Sequence, residues 1–135
     1  VNIAAIQEAL AIQIEEQTSL RTATFLGQGT NPPMVVVPVP DIEYDSVHAN
    51  GEHMVAWTAI AIAGRPVDRA ATEMLARMLS TDDVAGHVSI KVALEADPTL
   101  DGNVSTLRVE TAEPIIVTIS GVDYLGAEFA IDIRS

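Results

Sequence analysis

A chain of 135 residues with no cysteine and a formal net charge of −12 excludes several classes of protein at once. It suffices for one domain that buries roughly two-thirds of its unfolded surface, and is too short for two independent cores. Thiol catalysis, zinc ribbons and iron–sulfur clusters all need cysteine, and 7 basic against 19 acidic residues suit neither duplex DNA nor an anionic membrane surface.

Residues Asn2 to Gln17 read as a helix, with Asn2 as N-cap and Ile3, Ile6, Leu10 and Ile14 at helical spacing. The same segment lacks a basic n-region and carries Glu8, Glu15 and Glu16, so it does not read as a signal peptide. No run reaches the ~18 apolar residues of a membrane span. Thr22 to Leu26 fits a short strand ahead of a turn-rich stretch, Gly27 to Pro33. MVVVPVP follows, its prolines at 38 and 40 restricting that segment to a sheet edge or a bulge. In DIEYDSV, Ile42, Tyr44 and Ser46 alternate with Asp41, Glu43 and Asp45, the period of a strand with one wet face. His48 to Glu52 reads as a hairpin loop turning at Asn50-Gly51. HMVAWTAIAIA is then a long apolar strand for the middle of a sheet.

Gly64 ends that strand, and Pro66 near a first helical position opens a helix to Leu79. Its apolar stripe is Val67, Ala70, Ala71, Met74, Leu75, Met78 and Leu79, with Arg65, Arg69 and Arg77 off it. After the loop Ser80 to Asp83, Val88 to Asp97 combines strand-like alternation with helix-forming Ala93-Leu94-Glu95-Ala96, and Asp97-Pro98 stops it. A short helix is the reading. Three strands close the chain, Thr106 to Thr111, Ile115 to Ser120 and Asp123 to Ile133, the last two joined by a tight hairpin at Ser120-Gly121-Val122-Asp123. The expected fold is α+β, in the order α-β-β-α-α-β-β-β, a mostly antiparallel sheet with helices on one face. There are no internal repeats.

No motif in the chain carries chemistry. The acidic corner ALEADPTLDGNVSTLRV (Ala93 to Val109) holds Glu95, Asp97 and Asp101, but the spacing matches neither an EF-hand loop nor a carboxylate pair, and it reads as a helix stop followed by a turn. His48 and His53 bracket Asn50-Gly51, which breaks the helix a zinc-hydrolase motif requires, and His87 has no partner in sequence. Gly27-Gln28-Gly29 lacks the third glycine and flanking elements of a phosphate cradle. Met74 and Met78 belong to the core stripe. No catalytic residue, cofactor or metal is expected.

In order and spacing, GRPVDRAATEMLARMLS (64–80), VSIKVALEADPTLDGNVSTLRV (88–109) and ISGVDYLGAEFAIDI (119–133) resemble the tail terminator proteins of long-tailed phages, especially those infecting actinobacteria. NPPMVVV and DIEYDS agree more loosely, and together the segments cover nearly the whole chain. The resemblance implies a small α+β subunit that forms a homo-oligomeric ring, typically a hexamer. That ring would cap the tail tube, stop its polymerisation and offer a joint to the head–tail connector or stopper protein. It would sit in the virion neck, after assembly in the host cytoplasm, with DNA only passing through its lumen and no membrane contact. The family supplies no catalytic residues.

A ring subunit needs loops and edges that meet neighbours. Candidates are Gln28, Thr30, Asn31 and Pro32 in the turn-rich stretch, His48, Asn50 and Glu52 at the hairpin tip, and the Pro38/Pro40 edge. Part of the negative charge would face the lumen, where repulsion lets DNA slide. Two other classes stay open: a head-to-tail stopper, adaptor or other neck or minor tail protein, and a small ligand-binding or enzymatic α+β domain with a deep polar pocket.

Overall fold

In the computed structural model, which describes residues 2–24, 31–40, 54–81 and 88–134, the first helix, α1, spans Ile3–Thr18. The Asn2 side chain accepts from the Ala5 N–H at 3.1 Å, satisfying one of the donors a helix start leaves open. Ile6, Leu10 and Ile14 are fully buried. At the other end Ser19 adopts a left-handed conformation and its N–H returns to the Glu15 carbonyl.

Among the described residues, five strands form one sheet. They are β1 (Arg21–Ala23), β2 (Met34–Val36), β3 (Met54–Gly64), β4 (Thr106–Ile119) and β5 (Val122–Arg134), in the spatial order β1-β2-β3-β5-β4. All pairings are antiparallel except β1 with β2. Helices α2 (Arg69–Leu79) and α3 (Ile90–Glu95) lie between β3 and β4 in sequence. The α+β class and the mostly antiparallel sheet are as expected. The element order is α-β-β-β-α-α-β-β instead, and the alternating segment at 41–47 lies outside the described residues.

Alternation along β3 divides the packing between two faces. Val55, Trp57, Ala59 and Ala61 join Ile6, Leu10 and Ile14 of α1, Leu75 and Met78 of α2, and Ile90 and Leu94 of α3 in one core. Ile60 and Ile62 instead join Met34, Val36, Val117, Ile119 and Tyr124 in a smaller cluster. The helices therefore share one face. An irregularity between Val109 and Thr111 explains how β4 serves both clusters. Leu107 and Val109 belong to the helix-side core, and one extra residue turns Val117 and Ile119 to the opposite side.

Three expectations are corrected. Thr106 to Thr111 and Ile115 to Ser120 are one strand, running through Pro114. Because β4 pairs on one side only among the described residues, its outer edge tolerates a residue without an N–H. The segment before Pro38 and Pro40 is not an edge, since β2 lies between β1 and β3. The prolines follow the strand's last residue, and the Pro38 carbonyl accepts from Trp57 Nε1 at 2.8 Å. Finally, α2 begins at Arg69 rather than Pro66. The Asp68 N–H bonds to the Arg65 carbonyl at 3.0 Å, making Pro66-Val67 a turn and leaving Val67 86% exposed.

The hairpin expected over Ser120 to Asp123 forms, with Val122 and Asp123 already paired in β5. Ile119 pairs with Val122 across two residues of positive φ, 52° and 77°, a turn that glycine's lack of a Cβ eases at its second position. The short helix also holds: the Ser89 side chain accepts from the Val92 N–H and donates to the Ser80 carbonyl, fastening α3 to the end of α2.

Candidate functional site

Of the candidate contact residues, Gln28, Thr30, His48, Asn50 and Glu52 lie outside the described residues, as do His53 and His87. Asn31 is exposed, its N–H 3.5 Å from the Met34 sulfur. Pro32 lines an open hollow of about 710 Å3 with Pro33, Gly64, Arg65, Arg69 and Tyr124. This hollow lies where β3 ends and α2 begins. Pro32 and Pro33, just before β2, thus meet the shoulder before α2, an association that sequence spacing did not indicate.

In the acidic corner, the Asp97 and Glu95 carboxylates have local work, and Asp101 takes part through its N–H. Asp97 Oδ1 accepts from the Thr99 hydroxyl at 2.8 Å and the Thr99 N–H at 3.2 Å, and Oδ2 accepts from the Asp101 N–H at 2.8 Å. The bond from Asp101, then that from Thr99, holds the Asp97 carboxyl below its ordinary value, because donors aimed at a carboxylate favour its charged form. These bonds fold the chain through three consecutive residues of positive φ, Leu100, Asp101 and Gly102. The helix-stop reading accounts for Asp97.

Glu95 faces the sheet. One of its carboxylate oxygens accepts from Lys91 Nζ at 2.6 Å and from the Val109 N–H at 3.0 Å, while Lys91 Nζ also donates to the Val109 carbonyl at 3.2 Å. The helix pair at i and i+4 thereby satisfies both backbone groups of a residue beside the β4 irregularity. Side chains capping an edge in this way block a strand from adding there.

The turn from 97 to 103 faces α1 across an open cleft of about 490 Å3. Its floor is Ala5, Ala9, Ile12 and Leu100, and Ile12 is 45% exposed. Its rim is Glu8, Glu16, Asp97 and Asp101, with Gln13 and Asn103 between and no basic residue among the described ones. Gln13 is turned inward, its side chain donating to the Ala93 carbonyl at 3.0 Å. The sequence displays these carboxylates separately, as polar helix positions and as a helix stop. Their convergence depends on how α1 packs against α3.

Among the described residues no group of three or more His, Asp or Glu side chains is arranged to hold a metal ion, and no helix is long and apolar enough to cross a membrane. No protein-family model matches the chain, and no curated protein matches it.

Proposed function

We propose that this chain is a structural subunit that works by self-association: a tail terminator whose copies close into a ring, a hexamer by resemblance, on the finished end of a phage tail tube. The ring occupies the site where the next layer of tube subunits would add, stops polymerisation, and presents the joint to the head connector. The observation that carries this reading is the resemblance of residues 64–80, 88–109 and 119–133 to that family, in order and spacing. The architecture is compatible with it. One sheet backed by three helices is a stiff body, and exposed surfaces at the α1 cleft and the α2 shoulder are free to meet other chains.

The test is size-exclusion chromatography with light scattering, with and without purified tail tubes, followed by electron microscopy of tube lengths. The reading expects a multimer on tube ends and tubes that no longer grow. A chain that remains monomeric and ignores tubes refutes it. Binding to the portal side without capping free tubes would replace it with the stopper role.

A further inference from the structure

We infer that the acidic cleft beside α1 is the socket for a second copy of this chain, whose α2 shoulder, Arg65 to Arg69, is the plug. The inference deepens the self-association just proposed and rests on it.

Among the described residues both surfaces are uncovered, and they complement each other. The socket combines the half-exposed Ile12 with a rim of Glu8, Glu16, Asp97 and Asp101. The shoulder carries Val67, 86% exposed, between Arg65 and Arg69, with Asp68 as its one acid. Two of the chain's 7 basic residues, Arg65 and Arg69, lie in this one stretch, and Arg77 follows at the far end of α2. Arg65 and Arg77 pair with no described carboxylate, and Arg69 reaches Glu73 only at 3.8 Å with both side chains mostly exposed. An exposed apolar residue flanked by guanidinium groups thus matches an apolar floor flanked by carboxylates.

Position makes the contact intermolecular. The turn forming one wall of the socket is tied to the sheet end where Met54, Thr106 and Arg134 align, through the Ser105 N–H and the Arg134 carbonyl at 2.8 Å. The shoulder leaves the opposite end, where Gly64 pairs with Leu125. The 11 residues of β3 separate these ends by about 35 Å at the usual rise per residue. The turn wall and the shoulder thus lie at opposite ends, while α1 runs back along the sheet and brings Glu15, next to Glu16, to Thr22 of β1. A plug and a socket that differ make a head-to-tail contact, the kind that generates rings. A second copy is preferred to another partner because it brings the matching surface with it.

The test uses four full-length variants, followed by sedimentation velocity over a range of concentrations at low and high salt, with and without tail tubes. Glu8→Arg with Glu16→Arg inverts the socket, and Arg65→Glu with Arg69→Glu inverts the plug. Each pair is expected to weaken association about tenfold or more, as for other close interfacial charges. Val67→Ser should weaken it with no change in charge. The fourth variant carries all four charge reversals, keeps the wild-type net charge, and is expected to recover association. All the altered side chains are exposed, so the fold is retained. The socket variant is the most discriminating, because it makes the chain four charges less negative, two per substitution. General self-repulsion predicts that it associates more strongly. That result, or wild-type association in both inverted variants, overturns the plug and socket while leaving the ring intact. A wild-type chain that stays monomeric even with tubes overturns the ring and this contact together.

Discussion

Replacing Gly126 with alanine tests the geometry at the centre of the sheet. Gly126 lies on β5 between Ile62 of β3 and Ile115 of β4. A Cβ built there would stand 2.2 Å from the Ala61 carbonyl oxygen and 3.3 Å from the Ala61 carbonyl carbon. Relief requires β3 and β5 to part by roughly 1 Å to restore van der Waals contact, and the obstacle is backbone, which has no rotamer to change. Overpacking costs about 1–3 kcal/mol, and an unyielding central strand puts this case at the top of that range. Alanine returns about 0.4–1 kcal/mol by restricting the unfolded chain. A net loss of about 2 kcal/mol lowers Tm by about 7 °C for a chain of this length. Thermal unfolding followed by circular dichroism measures it. Gly121→Ala is the control, since that site has positive φ but no atom within 4 Å of a new Cβ, and its cost is conformational, about 1 kcal/mol. If Gly126→Ala matches wild type or costs less than Gly121→Ala, the proposed close approach of β3 and β5 is wrong.

Glu95→Ala leaves the Val109 N–H without its acceptor and frees Lys91, and should cost about 1.5–3 kcal/mol in urea unfolding, whereas Glu95→Gln, which retains an acceptor, should cost less. Trp57→Phe removes the bond to the Pro38 carbonyl from a side chain that is 1% exposed, and a loss of about 2 kcal/mol is expected by the same assay. Asp97 has a depressed folded pKa, so its contribution is present above the ordinary value of 3.8 and is lost as pH falls through the lower folded value. A Tm–pH series should therefore show a steeper acid decline for wild type than for Asp97→Asn, and parallel curves would remove Asp97 as the turn's acid-sensitive element.

Elements specified by neighbours in sequence were legible. Asn2 as cap and Ile6, Leu10 and Ile14 at helical spacing define α1 locally, and the apolar run from 54 to 63 could be placed in the middle of a sheet by composition alone. What failed depended on context. Pro66 and Asp68 are both valid helix-start signals, and the turn closed by the Asp68 N–H decided for Asp68, moving Val67 from an expected core position to an exposed one. Pro114 reads as a strand break unless the strand is known to lie at an edge, which is a property of the sheet. The same ignorance misplaced Pro38 and Pro40. Glu8 and Glu16 meet Asp97 and Asp101 from some eighty residues away, with no periodicity linking them.

The excess of acid and the two surfaces are parts of one electrostatic argument. A chain with a net charge of −12 repels its copies at a distance, yet a Debye length of about 8 Å at physiological salt screens that repulsion once surfaces approach. At contact, local pairing decides which orientations persist. Among the described residues acid lines the cleft without a counter-charge, and Arg65 and Arg69 outnumber Asp68 on a shoulder where the sign inverts. Cleft against cleft sets carboxylate against carboxylate, and shoulder against shoulder sets arginine against arginine, so both symmetric pairings are penalised. Cleft against shoulder relieves both. On the β4 edge, the Lys91–Glu95 cap and Pro114 obstruct strand addition over the same stretch that carries Glu110 and Glu113. Uniform acidity would serve solubility equally well. Acidity interrupted at one end of the sheet also selects a direction, and a directed contact is what a closed ring requires.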